Sequence, residues 1–194
     1  MLLQGGGALG AYQAEVYQAL SEANLHPDWV AGISIGAINS AIIAGNPPEQ
    51  RVAKLRTFWE WITANPLFDW AVAADQFAPK GDFARSAFNQ SSAAWAMFGG
   101  TPGFFAVRQP VPWLNPAGCL EATSFYETKL LKPTLEGLVD FERINSGAMR
   151  FSVGAVNVRT GNFVYFDNTT REIRPEHVMA SGSLPPGFPA IEIE

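Results

Sequence analysis

Cysteine and histidine are nearly absent: 194 residues contain one Cys, Cys119, and two His, His26 and His177. One thiol cannot close an internal disulfide, and two imidazoles cannot build a multi-histidine metal centre. Charge is sparse as well. Asp, Glu, Lys and Arg make up 16% of the chain, against about 25% in ordinary soluble domains. The balance is −5, which excludes the basic face of a general nucleic-acid binder. No run of 18 apolar residues exists, so no segment reads as a membrane-spanning helix. Met1-Leu2-Leu3 runs straight into glycines, without the charged head and apolar core of a secretory leader. These absences lead us to expect a cytoplasmic protein with neither metal nor cofactor. The sparse charge and 12% aromatic content leave room for peripheral contact with a membrane.

What is present is an ordered alternation. Leu2-Leu3 reads as a strand stub, followed by Gly5-Gly6-Gly7-Ala8-Leu9-Gly10. Residues 11–24 have helical periodicity with Asn24 as the stop. Trp29–Ile33 reads as a buried strand, 34–44 as a helix buried on most faces, and 48–64 as an amphipathic helix. In that last helix Val52, Leu55, Phe58–Trp59 and Ile62 share a face, and Arg51, Lys54 and Glu60 fall outside it. Residues 65–118 break the pattern with six prolines and ten Phe or Trp, and read as an insertion or an apolar lid within one domain spanning 1–194. Within it, 83–98 suits short helices. Residues 124–139 suit a helix capped by Thr123 or Ser124 with Glu127 three residues on, broken at Pro133. A hairpin is expected around Arg159-Thr160-Gly161, a short helix from Pro175, and a final strand at 190–193. Strand–helix–strand–helix order implies parallel strands joined by a crossover, hence an α/β layered fold.

The chemistry concentrates in two glycine motifs. Gly32-Ile33-Ser34-Ile35-Gly36 lies between a strand and a helix. There it matches the nucleophile elbow, a sharp turn that exposes a serine hydroxyl ahead of a helix N-terminus. The first motif also satisfies Gly-x-Gly-x-x-Gly through Gly5, Gly7 and Gly10, which invites a dinucleotide reading. The carboxylate at suitable distance, Asp28, stands at the start of the second strand, at the wrong end to hold a ribose. The same amides suit an oxyanion hole better. Parallel strands put their C-terminal ends side by side, so Gly6 and Gly7 face Ser34.

Together with Gln4–Gly10 and Gly32–Asn39, the stretch Ala180-Ser181-Gly182-Ser183-Leu184-Pro185-Pro186-Gly187-Phe188-Pro189 resembles the bacterial patatin-like phospholipases. The resemblance is strong over 2–62 and 148–194. It implies a three-layer α/β domain with a mostly parallel central sheet and hydrolysis of acyl esters of lipids without metal. It also implies a Ser–Asp dyad. By position Ser34 is the nucleophile, and Gly5, Gly6, Gly7 and Gly10 form the oxyanion loop. Leu9 stands where the family often has Arg. The family's Asp-Gly-Gly or Asp-Gly-Ala motif is missing, since no Asp-Gly dipeptide occurs. The expectation is therefore a domain incomplete at its C-terminus, with the dyad Asp beyond residue 194 and the remainder on a second polypeptide or otherwise separated. The 194-residue piece alone is then expected to be inactive.

Two alternatives stay open. One is a triad of Ser34 with His177 and Asp140 or Asp167, in the chain order of α/β-hydrolases. The other is a lipid-binding protein that has lost catalysis.

Overall fold

The computed structural model describes residues 1–64 and 99–193. In chain order the described strands and helices are β1 (Leu2–Leu3), α1 (Gly10–Glu22), β2 (Trp29–Ile33), α2 (Ile35–Ala44) and α3 (Pro48–Thr63), then β3 (Ala106–Val107), β4 (Tyr126–Glu127), α4 (Leu131–Leu138), α5 (Phe141–Asn145), β5 (Arg150–Val156), β6 (Phe163–Asp167) and α6 (Pro175–Gly182). The main sheet has the order β1-β2-β5-β6. β1, β2 and β5 are parallel, with Leu3 opposite Gly32 and Gly32 opposite Val153. β6 returns antiparallel beside β5 through the expected hairpin. A mixed, mostly parallel sheet flanked by helices agrees with the α/β layering expected from the alternation and with the three-layer domain that the family resemblance implies.

α2 is the hub. All ten of its residues are buried, and it lies against β2, β1 and β5 while α1, α3 and α6 pack around it. Its Ala and Ile side chains leave no polar stripe, so burial on every side is the only favourable arrangement. α3 buries Leu55 and Phe58 as expected. Arg51, expected outside the apolar face, is only 4% exposed. Its guanidinium donates to Asn46 O and to the buried Tyr17 hydroxyl, so its charge comes inside with acceptors in place.

The expected helix over 124–139 begins only at Leu131. Tyr126–Glu127 instead pairs antiparallel with Ala106–Val107. Pro133 does not break the helix, because it sits in the first turn, where its missing N–H had no intrahelical partner to lose. α5 was not anticipated; the Asp140 side chain caps it by accepting from Arg143 N–H. The strand expected at 190–193 is absent among the described residues, although Ile191 and Ile193 still pack on the core.

In the part of the 65–118 region that is described, from 99 on, Phe104 and Phe105 pack on the body while Trp113 stays 72% exposed. Phe104, Phe105 and Tyr126 surround Phe188, with centroids 5.1–6.0 Å from its ring. The helices expected within 83–98 fall outside the described residues.

Candidate active site

Ser34 closes β2 and starts α2 with φ 56° and ψ −126°. A non-glycine residue held there stores about 1–3 kcal/mol of backbone strain, so the surroundings must enforce it. Gly32 and Gly36 explain how. A Cβ on Gly32 would overlap the Gly36 carbonyl, and one on Gly36 would overlap the Leu3 carbonyl. Both strands therefore approach the first turn of α2 at backbone contact, and the chain can pass from β2 to α2 only by a sharp bend at Ser34.

A second restraint comes from α6. The Ser34 N–H donates to Ser181 Oγ at 2.8 Å, and that hydroxyl donates its own proton to the Gly154 carbonyl on β5 at 2.5 Å. One side chain thus ties the bend to the neighbouring strand. Ser181 belongs to the 180–189 stretch, but no local pattern in that stretch points to the bend. The contact spans 147 residues and follows from α6 folding back over β5.

The glycine loop arrives beside Ser34 by register. Leu3 faces Gly32, which carries the chain to Gly5 level with Ser34. A Cβ on Gly5 would stand 3.2 Å from Ser34 Cβ and 3.9 Å from Ser34 Oγ. Gly5, Gly6 and Gly7 are exposed. Their N–H groups donate to no acceptor among the described residues, so a ligand oxygen can take them. Gly10 behaves differently. It is buried, and its N–H turns back to Gly7 O. An added Cβ there would press into Ile35 and Trp59. Gly10 thus lets α1 close on α2 and α3, whereas the free donors belong to Gly5–Gly7.

The other candidates lie elsewhere. Asp28 sits just before Trp29, and its carbonyl accepts from Arg150 N–H, at the end of the sheet opposite the glycine loop. Asp167 pairs across to Ser152, and Ser152 to Ala31. That places Asp167 two strands across and three residues down from Ser34, roughly 14 Å at about 4.8 Å per strand and 3.3 Å per residue. Its carboxylate accepts from Ser152, Thr169 and Arg150. Burial pushes its pKa up, but these donors outweigh burial and hold the pKa far below the usual carboxylate range. Asp140 is committed to capping α5.

His177 is 2% exposed, and its ring lies 4.6 Å from that of Phe166. Its Nδ1 accepts the Arg174 N–H at 2.9 Å, so that nitrogen cannot donate to an aspartate as a triad histidine must. Burial lowers its pKa, opposed by the Arg174 hydrogen bond. Neither Asp167 nor His177 is brought into a triad.

Among the described residues the Ser34 hydroxyl has no hydrogen-bond partner, and no cluster of His, Cys, Asp and Glu suits a metal ion. No described helix is long and apolar enough to cross a membrane. A cleft of about 600 Å³ opens beside α6, lined by Ala155, Val156, Val164, Phe166 and Ile191 together with Arg159 and Arg171. Ser34 is not among its walls.

Comparison with known families adds one result. The family model of the patatin-like phospholipases matches residues 1–194. Neither the curated proteins nor the solved structures show a significant match.

Proposed function

The chain belongs to the patatin-like phospholipase family, whose general activity is lipid acyl hydrolysis, and from that premise we propose that Ser34 is the nucleophile of a serine acyl hydrolase. The observation that carries this reading is the strained bend at Ser34 with Gly5 in contact beside it.

The chemistry follows from the geometry. Ser34 Oγ attacks the ester carbonyl carbon, and the carbonyl electron pair moves onto oxygen. The N–H groups of Gly5, Gly6 and Gly7 hold that oxyanion, and the N-terminus of α2 adds a favourable dipole. The serine proton goes to a base and then to the departing alcohol. Water, deprotonated by the same base, then attacks the acyl-enzyme; the bond from the acyl carbon to Ser34 Oγ breaks, the base returns its proton to Oγ, and the fatty acid leaves.

No described carboxylate holds the Ser34 hydroxyl, Asp140 and Asp167 have other partners, and Asp-Gly does not occur in the chain. The resemblance to the family implies a Ser–Asp dyad whose aspartate lies in an Asp-Gly motif, and on that ground we assign the base to an aspartate beyond residue 194. Residues 1–194 form the N-terminal part of the acyl-hydrolase domain, with 65–118 as an insertion or lid that supplies apolar surface to an acyl chain. The substrate is an acyl lipid or ester.

The test is hydrolysis of p-nitrophenyl esters by the full-length protein and its Ser34→Ala variant, with fluorophosphonate labelling beside it. Loss of both turnover and label in the variant is expected. Unchanged turnover in Ser34→Ala removes the proposal.

A further inference from the structure

Three exposed glycines cannot hold themselves in place, because each has wide backbone freedom. Yet hydrogen-bond donors for an oxyanion must be set in advance, and a displacement of 1 Å can cost 100-fold in rate. Something outside the loop must fix it, and a chain of side-chain amides does so.

The chain starts at Trp59 on α3. An indole N–H can only donate, and Trp59 Nε1 donates to Asn39 Oδ1 at 3.1 Å. That sets the direction of the Asn39 amide, which is wholly buried on α2. Its Nδ2 then donates to Gly10 O at 2.9 Å and to Gln13 Oε1 at 3.0 Å. With its oxygen facing Asn39, Gln13 has its own direction set in turn. Its Nε2 donates to the Gln4 carbonyl at 2.7 Å. Carbonyls at both ends of the glycine loop, Gln4 and Gly10, are thereby tied to the helix that begins beside Ser34.

The Gln4 contact matters most. Gln4 C=O and Gly5 N–H belong to one planar trans peptide, so they point in opposite directions. A side chain that fixes the carbonyl fixes the aim of the N–H. We propose that Gln13 is a positioning residue for the oxyanion loop: by donating to Gln4 O it sets the Gly5 peptide plane relative to Ser34. This rests on the reading of Gly5–Gly7 as oxyanion donors.

Two substitutions isolate the donation from packing. Gln13→Glu keeps the shape and the acceptor for Asn39 but cannot donate to Gln4 O when ionised. Gln13→Met keeps the length and helix propensity and removes both bonds. Gln13 is half-buried on α1, so neither variant opens a core cavity. In the full-length protein both variants are expected to lower kcat for a p-nitrophenyl ester about tenfold. KM should stay within about twofold and Tm within about 3 °C. Wild-type kcat in either variant, with Ser34→Ala inactive, overturns the positioning role alone. A rise in KM with kcat unchanged overturns it too, as does a fall in kcat that accompanies a collapse of Tm in both variants. Activity in Ser34→Ala overturns the underlying catalytic reading.

Discussion

Replacing Ser181 by Ala removes one oxygen and two hydrogen bonds that meet at the Ser34 bend. The Ser34 N–H loses its acceptor and the Gly154 carbonyl loses a donor. Each buried group left unsatisfied costs about 1–3 kcal/mol. The Gly154 carbonyl is buried but the Ser34 N–H only partly so, and of the roughly 2–6 kcal/mol that two fully buried groups would cost we take roughly 2–4 kcal/mol for the pair. For a domain of this size, about 2–4 °C of Tm goes with each kcal/mol, and the expected fall is roughly 4–16 °C. The kinetic effect is separable. Positive φ at Ser34 stores about 1–3 kcal/mol, and the Ser181 latch is one of the contacts that oppose its release. If losing the latch favours a relaxed bend by about 1.4 kcal/mol, the competent fraction falls about tenfold. The rate of fluorophosphonate labelling reads this fraction directly, and calorimetry reads the stability. Ser181→Cys, with a weaker donor and acceptor of similar shape, should fall between wild type and Ala in both. A Tm unchanged within 1 °C would refute the hydrogen-bond reasoning. A lowered Tm with an unchanged labelling rate would show that Ser181 braces the fold without governing the bend.

Gly36→Ala should be more severe than an ordinary helix glycine substitution, because its Cβ would overlap the Leu3 carbonyl and drive β1 and the glycine loop off α2; we expect a loss of about 3 kcal/mol or more in urea titration, together with loss of fluorophosphonate label. The pH dependence of stability should show two windows. His177 has a folded pKa below its unfolded value of about 6.5, so its contribution is full above that pH and declines as pH falls below it; thermal melts of His177→Asn should lack this step. Asp167 is likewise depressed, so its contribution is present above about pH 4 and is lost on further acidification; Asp167→Asn should flatten the melting curve there.

Much of the fold was readable from residue pattern alone, for a local physical reason. Glycines, prolines and unbroken apolar runs punctuate residues 1–64 strongly, so β1, α1, β2, α2 and α3 fall near their expected positions. The β5–β6 hairpin around Arg159-Thr160-Gly161 and the Pro175 helix start are local signals of the same kind. Where the reading failed, a distant partner decided. The capping pattern at Ser124 and Glu127 yielded to strand pairing with Ala106–Val107. Alternation at 190–193 met no strand partner among the described residues. Arg51, polar by type, went inside because Tyr17 and Asn46 supplied acceptors.

The candidate site divides in the same way. Its backbone parts, Ser34 between Gly32 and Gly36 and the run Gly5–Gly10, were written in the sequence, because a tight bend and a close approach admit few residue types. Its supports were not. Ser181 and Gln13 are ordinary polar residues whose chemistry depends on what stands opposite them: a strained N–H for one, the carbonyl that precedes a glycine loop for the other. Only the crossing of α1 over α2 and of α6 over β5 places those groups within hydrogen-bonding distance. Local composition determines where a chain can bend, and tertiary packing determines what holds the bend.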